Sequence, residues 1–130
     1  MDKPPHIVFE FFEPCIVSAS LHGKIDEAEI VKLVDEFEPL VKDREVWGFE
    51  VDMREIIGAT PEARRIAAQR LSNLPRMMVA VVTSGFGQRI IAKLVLTAIQ
   101  MLKPGHLSVK YFADHDTARE WLRQVLSESS

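Results

Sequence analysis

The side chains best placed for chemistry fall in two short segments. Asp52 and Arg54 end the alternating run Trp47 to Met53, and Thr83, Ser84, Gly85 and Arg89 follow the apolar run Met77 to Val82. Ligands of sheets with parallel strands settle beyond the carboxyl ends of those strands. The two segments, the first running on to Thr60, would then share one edge and form a candidate ligand or partner site. Ser84-Gly85-Phe86-Gly87 at a helix start would offer free amides to an anion. It matches neither GxGxxG nor a P-loop, so it reads more simply as a serine-capped turn. Glu50 and Asp52 share a strand face and form an acid–base pair by spacing. The plainer reading is a solvated edge, or an ion pair of Asp52 with Arg54. His6, His22, His106 and His115 lie far apart with no HxH or HExxH spacing, and their expected places are strand ends and turns. No GxSxG elbow occurs, and Cys15 reads as a small core residue inside a strand. No metal, no cofactor and no catalytic residue is expected from these patterns.

The elements that must position these groups follow from periodicity. His6 to Phe12 and Cys15 to Leu21 alternate and are broken at Glu13-Pro14, which predicts a hairpin. His22-Gly23-Lys24 reads as a turn, and Asp26 as the cap of a helix with Ile30, Leu33, Val34 and Phe37 on one face. A strand over Trp47 to Met53 leads to Thr60-Pro61, a cap and first-turn proline for a second helix. That helix carries Ala63, Ile66, Ala67, Leu71 and Leu74 inward, with Arg64, Arg65 and Arg70 off the stripe. Met77 to Val82 predicts a central strand covered on both faces. A long helix runs to Leu102, where Lys103-Pro104-Gly105 stops it; Leu107 to Phe112 is a fifth strand. Asp114 or Asp116 caps a last helix through Leu126, and Ser127 to Ser130 reads as a frayed tail. The order ββαβαβαβα gives an α/β fold: a small mixed, mostly parallel sheet of five strands with four helices.

At 130 residues the chain has the size of a single domain, and 47% apolar content excludes a disordered one. One cysteine excludes a disulfide scaffold. Met1-Asp2-Lys3-Pro4-Pro5 has no leader pattern, and Ile90 to Leu102 is too short and too polar to span a bilayer, so a cytoplasmic protein is expected. The net charge of −3 hides a contrast: residues 1–59 sum to −8 and residues 60–112 to +7. Two matching faces within one domain are the simplest reading. Arg64, Arg65, Arg70, Arg76 and Lys93 would alternatively suit an acidic partner or an anionic headgroup. Nucleic acid is not expected, because the chain is acidic overall and its basic half has few aromatics. In the third helix Arg89, Lys93, Thr97 and Gln100 mark only a narrow polar strip. The apolar arc around it exceeds what one sheet face requires. Ile91, Leu94, Val95, Ala98 and Met101 are therefore a candidate apolar interface, to be covered by a partner protein, a second copy in a homodimer, or an acyl chain.

Three local patterns combine with this element order over residues 7–126. They are Val51-Asp52-Met53 followed by Thr60-Pro61; Met78 to Thr83 running into a glycine-containing turn; and Val109-Lys110-Tyr111-Phe112-Ala113-Asp114 followed by Ala118-Arg119-Glu120-Trp121-Leu122. In this combination the chain resembles the SpoIIAA-like superfamily, which joins STAS domains to CRAL-TRIO lipid-binding domains. The resemblance implies one SpoIIAA-like domain over residues 1–130. It also implies a non-enzymatic regulatory module of STAS type acting through protein contact. Its alternative implication is a carrier or sensor of a small apolar or lipid ligand. An enzyme, the third reading, would need a deep pocket holding Asp52 or Ser84 beside a base. Regulatory STAS antagonists carry a phosphorylated Asp-Ser-Ser/Thr-Gly turn. The matching stretch here, Ile57-Gly58-Ala59-Thr60-Pro61-Glu62, lacks it, leaving Thr60 as the candidate phosphoacceptor and as a plain helix cap.

Overall fold

A computed structural model describes residues 6–129; the leader-free reading of residues 1–5 concerns residues outside that range, as does Ser130. The elements follow the expected order: β1 (Ile7–Phe12), β2 (Ile16–Ile25), α1 (Glu27–Val41), β3 (Val46–Ala59), α2 (Pro61–Ser72), β4 (Arg76–Val82), α3 (Phe86–Leu102), β5 (Leu107–Phe112) and α4 (His115–Ser129). The five strands form one sheet in the order β1-β2-β3-β4-β5, with β1 antiparallel to β2 and all other pairs parallel. Each crossover adds its strand on the same side of the last one, so right-handed connections place α1, α2 and α3 together on one face. α4, which follows β5, covers the opposite face.

Alternation along the strands sorts residues between these faces. Trp47, Phe49, Val51 and Met53 join Val17, Ala19, Leu21, Met77, Val79 and Val81 in the core under α1–α3. Phe37 of α1 sits fully buried against Trp47 and Phe49, with ring centroids 5.3 and 5.7 Å away. The Trp47 indole N–H donates to the Pro75 carbonyl at 3.0 Å, so the ring is buried without an orphaned donor. On the other face Ile16, Met78, Ala80 and Val82 pack against Ala118, Leu122 and Leu126 of α4. Met77 to Val82 is buried throughout, as expected of a strand covered on both sides.

Four boundaries differ from expectation. His22-Gly23-Lys24 continues β2 as an irregular edge, with the shift in register absorbed beside Gly23 at φ +70°. β3 runs on to Ala59, paired with β2 there after β4 has left it at Asp52. Cys15 lies in the turn before β2 rather than within the strand; it is buried, and burial pushes its thiol pKa up. The expected tail is helical through Ser129, because α4 keeps its stripe on the sheet to Leu126.

Candidate functional site

The β2–β3 register sets Ser18 beside Glu50 and Ser20 beside Asp52, all on the α4 side of the sheet. Gly48 precedes them on the same face. A Cβ there would lie 3.0 Å from Leu126, 3.3 Å from Ile16 and 3.4 Å from Leu122, so its absence lets α4 approach the strand. Asp114 caps α4 by accepting from the Thr117 amide at 2.9 Å. His115 then opens the helix, and Arg119, one turn on, points the same way. Arg119 donates to both oxygens of Glu50, from Nε at 3.0 Å and Nη2 at 3.1 Å, and Ser18 adds a hydroxyl at 3.3 Å. His115 bridges the two carboxylates, with Nδ1 on Glu50 Oε1 and Nε2 on Asp52 Oδ2 at 2.8 Å. Arg54 closes the far side of Asp52 from Nε at 3.1 Å and Nη2 at 2.9 Å. The Arg119 guanidinium also lies 4.0 Å over the Phe12 ring.

Glu50 is fully buried, which a solvated edge does not describe. Burial opposes the charge on Asp52, but the bonds from Arg54 and His115 outweigh it and hold its pKa at about 2. Burial likewise lowers the His115 pKa, and the two facing carboxylates overcome it, leaving the imidazole above its ordinary value. A ring with a carboxylate at each nitrogen donates to both only as the imidazolium, the form that the raised pKa favours and one with no lone pair to act as a base. Every member of the cluster is satisfied by another. Its chemistry is that of an ionic lock between α4 and β3. The sequence pattern pointed to Asp52 and Arg54 but passed over Ser18, His115 and Arg119; the i, i+4 spacing of His115 and Arg119 after an acidic cap was the available signal.

The structure does bring the two loop segments of the expected edge together, through a residue that the sequence did not single out. Gln88 donates to the Arg54 carbonyl at 2.8 Å and accepts from the Ser84 amide at 2.8 Å and its hydroxyl at 3.3 Å. Thr83 is buried and accepts from Arg89 Nε at 3.4 Å, while the Arg89 guanidinium lies 5.4 Å from the Tyr111 ring centroid. The cap of α3 is Gly85, with no side-chain bond, and not Ser84. Thr60 does not belong to this edge. It lies eight residues beyond Asp52 at the end of the β3 extension, where Oγ1 accepts from the Ala63 amide at 3.1 Å and caps α2. Among the described residues no three His, Cys, Asp or Glu side chains form a metal-binding set.

The expected apolar interface divides. Ile91, Val95 and Ala98 pack inward, whereas Leu94 and Met101 face out. Only Ala92 and Ile99 of α3 are buried. Exposed with Leu94 (49%) and Met101 (80%) are Phe86 (79%), Ile90 (46%) and Leu102 (59%). Under α1, α2 and α3 lies an apolar cavity of about 90 Å³, walled by Phe37, Phe49, Val51, Ala67, Ile91, Val95 and neighbours. It is on the side of the sheet away from the ionic lock. No described helix is long and apolar enough to cross a membrane.

The SpoIIAA-like family model matches residues 16–123. The chain belongs to the SpoIIAA-like family. Solved structures give this SpoIIAA-like chain the same fold. An uncharacterised SpoIIAA-like protein of the DUF3478 family from Shewanella loihica PV-4 aligns with TM-score 0.67 and 18% identity, covering 94% of this chain and 98% of that one. The anti-sigma factor antagonist SpoIIAA, unphosphorylated, aligns at 0.55 and 10% over 92% and 96%. An anti-sigma factor antagonist from Mycobacterium paratuberculosis aligns at 0.55 and 18% over 95% and 99%. No curated protein sequence matches the chain. The five-stranded mixed sheet with four helices is therefore the SpoIIAA-like architecture, which these neighbours share.

Proposed function

We propose that residues 1–130 act as one non-enzymatic SpoIIAA-like domain that binds a partner protein through the outer face of α3. The observation that carries this reading is the exposed apolar stripe of α3 in a wholly cationic setting. Phe86, Ile90, Leu94 and Met101 run along it, Arg89, Lys93 and Lys103 flank it, and no Asp or Glu occurs from residue 63 to 113. Exposed apolar surface of this kind marks an interaction face, and its charge favours an acidic partner surface. Two copies meeting α3 to α3 would set cations against cations. Elsewhere in the basic half Arg70 is matched internally, by Asp35 at 2.7 Å and Glu38 at 3.2 Å. The partner, like the cytoplasm in which we place the protein, belongs to this proposal. Thr60 serves it as a cap, without a phosphoswitch. A photo-crosslinker at position 94 or 101 should trap one acidic protein, with the yield reduced by Lys93→Glu, whereas the same group at Glu36 on α1 should not. Equal trapping from all three positions would refute the assignment.

A second reading, carriage of a small apolar ligand, is favoured by the cavity under α1–α3. Native mass spectrometry of freshly purified protein tests it: a bound organic mass supports a carrier, and only the bare chain mass counts against one. An enzyme is the reading with least support, because the titratable groups of the lock are consumed by each other.

A further inference from the structure

A strand at the edge of a sheet presents a row of unpaired N–H and C=O groups, and folds blunt such edges with lysine, proline, a bulge or a covering element. β1 is one edge of this sheet and β5 the other; among the described residues no strand pairs with the outer side of either. β5 carries the exposed Lys110. β1, Ile-Val-Phe-Glu-Phe-Phe, has no lysine, arginine, proline or bulge, and its Val8 is 50% exposed. The direction of its backbone groups follows from the ladder. The His22 amide donates to the His6 carbonyl at 2.7 Å, and the register continues with Ile7 opposite Leu21 and Val8 opposite Ser20. Bonded and non-bonded pairs alternate between antiparallel strands. His6, Val8, Glu10 and Phe12 therefore turn their backbone groups to β2, and Ile7, Phe9 and Phe11 turn theirs out past the edge. The side chains of the same three residues pack against the core under α1–α3 and are only half-buried there.

We propose that β1 pairs antiparallel with β1 of a second copy about a two-fold axis through Phe9, joining the two sheets into one. In that register Phe9 lies opposite its own counterpart, Ile7 opposite Phe11, and Val8 opposite Glu10. Every outward N–H and C=O of Ile7, Phe9 and Phe11 then has a partner on the other copy. Opposed residues share a face, so Phe9 meets Phe9 and Ile7 meets Phe11 beside the α1–α3 core. Aromatic and β-branched pairs of this kind stabilise antiparallel strands. A slip by one residue is excluded, because it sets outward groups of one strand against groups already bonded to β2. A slip by two residues one way would oppose Glu10 to Glu10, an unfavourable like-charge pair, and the other way would leave Phe11 beyond the start of the facing strand. In the proposed register each Glu10 faces Val8, and the two carboxylates are only diagonal neighbours. The outer face of α3 is left free, since α3 joins β4 to β5 at the other end of the sheet, so the dimer carries two such faces.

Sedimentation equilibrium of the full chain reads the association, and introduced cysteines read the register. The native chain should sediment as a dimer at micromolar concentration. Ile7→Pro removes an N–H that β2 does not use, at the first residue of the strand, where proline is tolerated. It should weaken the dimer by about tenfold or more, the scale of the intermolecular hydrogen bonds it removes from both copies. In a Cys15→Ala background, Val8→Cys combined with Glu10→Cys should be trapped by mild oxidation as a covalent dimer. These positions oppose each other at a separation that a disulfide spans, and neither cysteine alone should be trapped to that extent. A native chain that stays monomeric into the millimolar range overturns the proposal. So does a dimer that Ile7→Pro leaves at native strength, or one trapped as well by Glu10→Cys alone, which reports the slipped register. If Ile7→Pro fails to fold, the double-cysteine trap decides: a dimeric chain that it does not capture makes its contact elsewhere, and β1 pairing is refuted.

Discussion

Replacing His115 with glutamine removes the one cation that touches both β3 carboxylates. Glu50 would keep its two bonds from Arg119, and Asp52 its pair from Arg54. The loss is therefore smaller than the about 3–5 kcal/mol that follows when a buried charge is left alone. What goes is one charge-assisted contact at each carboxylate, and such bonds contribute about 1.5–3 kcal/mol apiece at best. The His115 side chain is 31% exposed, so solvent screens part of this, and glutamine can restore one neutral donor. The expected destabilisation near pH 6 is about 2 kcal/mol.

The pH dependence discriminates an ionic lock from simple packing. The folded pKa of His115 is raised above its ordinary 6.5, so its stabilisation is complete below that value and is lost as pH climbs through the folded pKa. In that window the folded state holds a proton that the unfolded chain has released, and stability falls by at most about 1.4 kcal/mol per pH unit. Asp52 acts in the opposite sense. Its pKa is lowered from 3.8 to about 2, so its contribution of about 2 kcal/mol is present above 3.8 and disappears as pH drops toward 2. The lock is thus at full strength from about pH 4 to about pH 6.5. Urea unfolding followed by tryptophan fluorescence, at about pH 5.5 and about pH 8.5, compares native chain and His115→Gln. The gap between them should shrink on the alkaline side. A gap of the same size at both pH values, or one that widens with pH, would show that the bridge does not depend on the imidazolium.

Two other perturbations test how the cluster and the helices are seated. Gly48→Ala puts a methyl against Leu126, Ile16 and Leu122 at 3.0–3.4 Å, and should cost about 1–3 kcal/mol in urea unfolding by forcing α4 outward. An unchanged midpoint would mean that α4 has slack over β3. Thr60→Ala should cost about 1 kcal/mol by freeing the Ala63 amide, and Thr60→Asp should restore most of it; equal losses would remove capping as the role of this side chain.

Element order was legible because each segment carried a local signal: alternation in β1 to β3, the caps Asp26, Thr60 and Asp114, and the Lys103-Pro104-Gly105 stop. The lengths of β2 and β3 were not, because their extensions pair only with each other and include the weak strand residues Gly23 and Gly58. The polar site was half legible. Glu50 and Asp52 announce themselves by spacing on one strand, but His115 lies 65 residues from Glu50, and no period within either segment reports a contact between them. Arg64 shows the same limit from the other side. A periodic stripe assigns an arginine beside it to solvent, and only the packing of α2 against α3 decides that its Nε is buried.

The two faces of the sheet consequently divide structure from recognition. On the α4 face Glu50, Asp52, Arg54, His115 and Arg119 are partnered with one another, Gly48 admits a close helix, and apolar side chains from Ile16 to Leu126 pack beside them. A ligand arriving there would have to break bonds already made. On the other face α3 buries only two of its seventeen residues, and a cavity remains beneath it. Binding elements are drawn from the least committed part of a fold, since their unmet contacts are what a partner supplies. The residues with the most conspicuous chemistry, Glu50, Asp52 and His115, therefore serve the fold, and the plainer face of apolar side chains is where a partner or ligand gains most.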